Sequence, residues 1–450
     1  MKKALSLILA VMMTATSLVG CGGAGSAGSN TVSEVPTYDS LSVGEDYTDL
    51  SAEIKVITHR TDIVNTTFAE YVTEFQKLYP NIKISYESIT NYAEDMTTRL
   101  SSKQWGGICM IPTYIPRTEL GNYFQPLCDL SSIEDEYNFA NAMEYEGNVY
   151  GIPSMGNVQG VVYNKKVFEE AGITELPKTP DEFLDALQTI KDNTGAIPLY
   201  TNYAAGWTMS AWDAYISGSA TGDADWMNVK MPHTRDPFAK NDDMTGPYAV
   251  YYVLYEAVKR GLTEDDPTTT DWEGSKGMMN NGEIATMVLG PWAVPQIQEA
   301  GDNGDDIGYM SFPITVDGKQ YATAGSDYCY GVNVNSSNDN KVASMLYIKW
   351  LTEQSGYAQL SGGVPALKDQ ELPETLSSFA DVELVTDTPS PADEADLATN
   401  ISNESELSLN ADSTHVTRVV EAAINGDETY DDIVADWNEA WNAAMDKYGA

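Results

Sequence analysis

The side chains in this 450-residue chain best able to do chemistry are aromatic, amide and carboxylate groups in loop-like stretches. Trp207, in Ala205-Gly206-Trp207-Thr208, and Trp292, just beyond the buried-strand pattern 284–289, each present a flat apolar face. Arg60 and Asp62 follow a strand pattern at 53–58 and offer planar, bidentate hydrogen bonding, either to a ligand or to each other. Asn157, Asp327 and Tyr328 fall on segments that pass between the two halves of the chain. Flat platforms with a few charged or planar polar groups suit a polyhydroxylated ring, whose C–H faces stack and whose rim takes hydrogen bonds. Local helix packing explains Trp212 and Trp226 equally well.

Other chemistry is poorly represented. There is no nucleophile elbow with Ser, His and Asp, and no phosphate-cradling loop. Hydrolysis of a glycoside needs only two carboxylates, so with 67 acidic residues an exported, membrane-anchored glycoside-processing enzyme stands as an alternative. A binder of a non-sugar solute such as a polyamine is another; its site should show several acids among the aromatics. His59, His233 and His415 are far apart, and the cysteines lack metal spacing, so neither a metal nor a cofactor is expected. Cys109, Cys128 and Cys329 read as buried free thiols, with a Cys109–Cys128 bridge as the other option. The net charge of −42 argues against nucleic acid and against anionic lipid head groups as partners.

The positioning elements read as α/β. Alternation at 53–58, helical spacing of Phe68, Tyr71, Val72, Phe75 and Leu78, alternation again from Ile82, then Tyr92, Met96 and Leu100 at i, i+4, i+8, and the run 108–111 predict strand–helix–strand–helix–strand. That order implies a parallel sheet with ligands beyond the C-terminal strand ends. The stretch 148–166 then gives two short strands around Gly156 and Gly160, which suit a pliable segment between lobes. Similar crossings are expected near 325–330 and 362–365, which would put the chain ends in different lobes. Thr179 is an expected N-cap with Pro180 at the first helical position. Helices are expected at 248–260, 338–353 and 431–448, and an acidic surface loop at 381–407.

Lys2-Lys3, the apolar run 4–13 and the small residues that follow describe an export signal over 1–20. Leu18-Val19-Gly20-Cys21 closely resembles the bacterial lipobox. The resemblance implies that Cys21 carries a diacylglyceryl group, which anchors the protein to the extracytoplasmic face of the cell membrane. Residues 21–49 are expected to form a flexible tether, beginning with Gly22-Gly23-Ala24-Gly25-Ser26.

The run 149–153, then Val162-Tyr163-Asn164-Lys165, Phe168, Gly172-Ile173, Pro177, Thr179-Pro180 and Phe183 resembles the signature of extracellular solute-binding proteins of family 1, the sugar-binding components of ABC importers. The match continues through Met278 to Met287, Gly290, Trp292, Lys341 to Leu351 and Gly363-Val364-Pro365-Ala366. The resemblance implies a two-lobed periplasmic-binding fold of type II, with a multi-strand hinge and a cleft that closes on sugar. Lobe 1 would be 50–157 plus 329–362, and lobe 2 158–328 plus 363–450. In maltodextrin binders a sugar-stacking Trp stands at the place of Trp292. Gly106-Gly107-Ile108-Cys109 departs from the Pro-Asp pair that usually leads in the third strand. The implied protein is a non-enzymatic monomer that hands a carbohydrate, an oligosaccharide given the many Trp and Tyr, to a membrane permease.

Overall fold

The strand Ala52–Thr58 buries Ile54 and Val56 and exposes Lys55, the alternation of a half-covered strand. It pairs in parallel with Ile82–Ser88 on one side and Ile108–Met110 on the other. The helices Thr67–Leu78 and Tyr92–Leu100 are the crossovers that parallel pairing requires. The computed structural model describes residues 32–90, 92–112 and 114–450; the signal segment, Cys21 and the tether's first ten residues lie outside the described residues. Beyond Ile108–Met110 the sheet turns antiparallel through Cys329–Val332 and Asn148–Pro153. The late helix Asn338–Glu353, N-capped by Ser337, completes this first core with Leu346, Tyr347 and Trp350.

A second sheet runs in the order Ile307–Ser311, Gly160–Asn164, Ile284–Leu289, Ile197–Leu199. Every residue of Ile284–Leu289 is buried, as its unbroken apolar pattern requires. Helix Pro180–Asn193 starts where expected, with the Thr179 hydroxyl accepting from the Glu182 N–H at 3.3 Å. Helices Gly246–Lys259, Thr414–Asn425 and Tyr430–Tyr448 build the second core with Trp437 and Trp441.

Between the cores, two antiparallel segments run side by side from one sheet to the other. Asn148–Pro153 lies beside Cys329–Val332, and Gly156–Val158 beside the end of Lys319–Ser326. Ser154 N donates to Tyr328 O and Asp327 N to Met155 O, which closes the join. Val364 exchanges both backbone hydrogen bonds with Gly156, adding a third strand of contact.

Several expectations need correction. Gly156 and Gly160 have no left-handed backbone angle; they are glycines because neighbours crowd them. A Cβ on Gly156 would stand 2.1 Å from the Phe139 ring, and one on Gly160 2.5 Å from the Met310 carbonyl. Gly160→Ala is therefore expected to lower stability by about 1–3 kcal/mol, the cost of overpacking; a urea midpoint equal to the parent's would contradict this.

The tether ends earlier than expected, because Tyr38, Leu41 and Leu50 are buried in the first core and Tyr38 N donates to Leu127 O. Residues 365–370 also stay on that core: Asn138 N donates to Ala366 O at 2.7 Å and Lys368 N to Glu136 O at 2.9 Å. Only with Leu376 and Phe379 does the chain join the apolar cluster of Val158, Met287 and Tyr309. The acidic stretch 381–407 is not all loop. Glu383–Val385 pairs in parallel with Tyr321 to Thr323, and Leu397–Glu404 is helical. Cys109, Cys128 and Cys329 are free and buried.

Candidate ligand site at the strand crossing

Three indoles form a corner on the second body. Trp207, Trp272 and Trp292 have ring centroids 5.5, 5.6 and 5.8 Å apart, with interplanar angles of 88°, 52° and 73°. Each is placed by local chemistry. Asn202 takes a left-handed conformation (φ 56°), and its carbonyl accepts from the Thr208 hydroxyl at 2.7 Å; Gly206, at φ 71°, then turns the chain so that Trp207 opens a short helix. Asp271 caps the helix Trp272–Asn280 by accepting from Glu273 N. Trp292 follows Gly290 and Pro291, and any Cβ on Gly290 would lie 2.5 Å from the Trp292 indole nitrogen. Trp207 keeps 43% of its surface exposed, whereas Trp292 is half-buried against the Phe68, Met155 and Tyr357 cluster. Trp207 is therefore the open face, and Trp292 braces it.

The floor is polar and incompletely bonded. Asn157 donates to Asp327 at 3.0 Å, but its amide oxygen is buried without a partner. His59 Nδ1, Ser154 Oγ and Tyr330 OH are also buried and unpartnered. The His59 ring lies 4.8 Å from Tyr328. Burial holds the His59 imidazole below its usual range, partly opposed by Asp327. Burial, then Asp327, pushes Tyr328 up to about 12. Buried polar atoms without partners are uncommon because each costs about 1–3 kcal/mol. Four of them around the Asp327 segment mark a place where hydroxyls or water complete the hydrogen bonding.

Arg60 and Asp62 do pair with each other. Arg60 Nε donates to Asp62 Oδ1 at 2.9 Å and Nη2 to Oδ2 at 2.7 Å, while Nη1 reaches Tyr357 OH at 3.0 Å and Ser361 Oγ at 3.2 Å. Burial works against the Asp62 charge, but the guanidinium's hydrogen bonds and attraction outweigh it and hold the carboxyl below its ordinary range. Arg60 thus braces the 357–361 segment, and Asp62 is the half of the pair left at the surface. The seven residues singled out from sequence fall into three groups: the corner (Trp207, Trp292), the floor (Asn157, Asp327, Tyr328) and the opposite wall (Arg60, Asp62). Trp272, His59, Ser154 and Tyr330 were not foreseen. Trp272 alone carried a signal, standing one residue after a capping Asp and four before Lys276. Among the described residues no cluster of three or more His, Cys, Asp or Glu could hold a metal, and no helix is long and apolar enough to cross a membrane.

The family model for bacterial extracellular solute-binding proteins matches residues 61–358. The chain belongs to that family. Membership places this solute-binding protein outside the cytoplasm and gives it the two-lobed, type II periplasmic-binding fold, with the corner, floor and wall about its cleft. It is similar to a multiple sugar-binding protein of Streptococcus mutans, 22% identical over 323 residues, which are 68% of this chain and 73% of the relative. Among solved structures, it resembles a manno-oligosaccharide-specific solute-binding protein of Bifidobacterium animalis subsp. lactis in complex with mannotriose. The two are 47% identical with a TM-score of 0.88, covering 92% of this chain and 99% of that one. A second binding protein of an ABC transporter from the same organism, in complex with mannobiose, is 48% identical with a TM-score of 0.88 and the same coverage.

Proposed function

We propose that this solute-binding protein captures a manno-oligosaccharide in its cleft and delivers it to the membrane permease of an ABC importer, without catalysis. The reading rests chiefly on the three-tryptophan corner set above a floor of unpartnered polar atoms: apolar faces for sugar C–H surfaces and open hydrogen-bonding positions for hydroxyls. The 47% identity to a manno-oligosaccharide binder over nearly the whole chain supplies the sugar class. Trp207 and Trp292 stack on the sugar, Asn157, Asp327 and Tyr328 meet its hydroxyls from the hinge, and Arg60 and Asp62 form the facing wall.

The proposed lobes are 50–157 with 329 to about 370, and 158–328 with about 375–450; the third crossing is set late because Ala366 and Leu367 pack on the first core. Cys21 supplies the lipid anchor in this proposal, and the folded protein acts as a monomer. Calorimetric titration with mannobiose, mannotriose, a maltodextrin and a polyamine tests the ligand class. The expected result is saturable binding of the mannosides alone, with no cleavage product after prolonged incubation. Binding of the polyamine instead, or release of mannose, would reject the proposal.

A further inference from the structure

Next to the indole corner is a small polar cavity of about 250 Å³. One wall brings Asp62, Thr66 and Thr67 from the loop and helix start after the first strand; the other brings Lys276, Gln296 and Glu299. Its volume is below the roughly 300–1,000 Å³ of a site for a whole drug-sized ligand, and suits one ring of a longer one.

Lys276 ties this cavity to the corner. Its ammonium sits 4.7 Å above the Trp272 ring and 2.9 Å from Glu273. The lysine side chain is 12% exposed, whereas that of Glu273 is 77% exposed, so the pairing carboxylate lies in solvent and holds the ammonium weakly. An ammonium has three donors, and Glu273 occupies one. Across the gap, the Asp62 side chain remains 37% exposed despite its bidentate pairing with Arg60. Donors on one wall thus face an acceptor on the other across a space the size of one sugar ring.

We infer that this cavity is a subsite for a further ring of the oligosaccharide, and that it makes lobe closure depend on chain length. The inference rests on the carbohydrate reading above. The three indoles all belong to one lobe, so a ring on the corner alone touches mainly that lobe. A ring in the cavity touches both, through Lys276 and Gln296 on one side and Asp62 on the other. Moving a population from mostly open to mostly closed takes about 10⁴-fold tighter binding to the closed form, and only contacts made by both walls contribute to that difference. A short ligand therefore fills the corner without driving closure, and a longer one drives it.

The test compares mannobiose with mannotriose by calorimetry, and follows closure by the radius of gyration in X-ray scattering. The parent should bind mannotriose more tightly and contract only with it. Lys276→Met keeps an apolar stem over Trp272, and Gln296→Ala removes the neighbouring amide. Each is expected to weaken mannotriose about tenfold and mannobiose by less than about twofold, and to blunt the contraction. Equal losses for both sugars, or none for either, would overturn the subsite while leaving the carbohydrate reading intact. Failure of the parent to bind any mannoside would overturn that reading and the subsite with it. An unliganded melting temperature equal to the parent's checks that each variant is folded.

Discussion

Trp207→Ala is expected to weaken mannotriose binding about tenfold or more, while the unliganded melting temperature moves by less than about 2 °C. The two halves of this expectation come from one observation. Trp207 keeps 43% of its surface exposed, so little buried apolar area is lost from the unliganded fold when it goes. That same exposed face is the broadest flat surface the corner offers, and a tenfold loss corresponds to about 1.4 kcal/mol, well within what an anchoring indole contributes. Trp292→Ala should behave differently. Trp292 supports Trp207 at 5.6 Å and Trp272 at 5.8 Å and packs against the Phe68–Tyr357 cluster, so removing it should lower affinity and the unliganded melting temperature together. Titrations and unfolding curves on both variants decide the point. Unaltered mannotriose affinity in Trp207→Ala would remove the open indole from the site.

The asymmetry between these indoles shows what could be read from the chain before folding. Strand and helix periods are local, so 52–58, 67–78, 82–88 and 180–193 emerged nearly residue for residue, and Thr179-Pro180 announced its helix start through local capping chemistry. Trp207 and Trp292 stood out because each follows a chain-turning glycine, Gly206 and Gly290. Their pairing with Trp272 was hidden, since 65 residues separate Trp207 from Trp272 and no period links them. The hinge glycines were misread for a related reason. Whether a glycine bends or merely makes room depends on what stands opposite, and Phe139 beside Gly156 and Met310 beside Gly160 become neighbours only after folding. The same holds for the orphaned floor atoms, because a missing partner is a property of three-dimensional surroundings. The Arg60–Asp62 pair was foreseeable as an alternative to ligand contact. Its extension to Tyr357 and Ser361, which makes Arg60 a brace, was not.

The largest loss of stability is expected at Asp213, a charged residue 1% exposed within the second core. Its Oδ1 accepts from Tyr251 OH at 2.7 Å and lies 2.8 Å from His415 Nε2, while Oδ2 accepts from Asn410 N at 2.7 Å. These contacts tie helix Gly246–Lys259, helix Thr414–Asn425 and the turn before it to the segment directly after Trp207–Ser210. Asp213→Ala would strand a hydroxyl, an imidazole nitrogen and a backbone N–H at once, in an interior with no water to replace the carboxylate. Removing one member of such a buried network costs about 3–5 kcal/mol, several times a typical surface change. The urea midpoint should fall accordingly with little change in slope, because the area exposed on unfolding is nearly the same. Asp213→Asn keeps one acceptor oxygen but points an amide at a donor, so its loss should be intermediate. A midpoint for Asp213→Ala within about 0.5 kcal/mol of the parent's would mean that the network bears no weight, since surface substitutions away from such features fall in that range. In the variant, reduced mannotriose affinity under conditions where it remains folded would mean that the same carboxylate also holds Trp207 in place, because only two residues separate Asp213 from the helix that Trp207 opens.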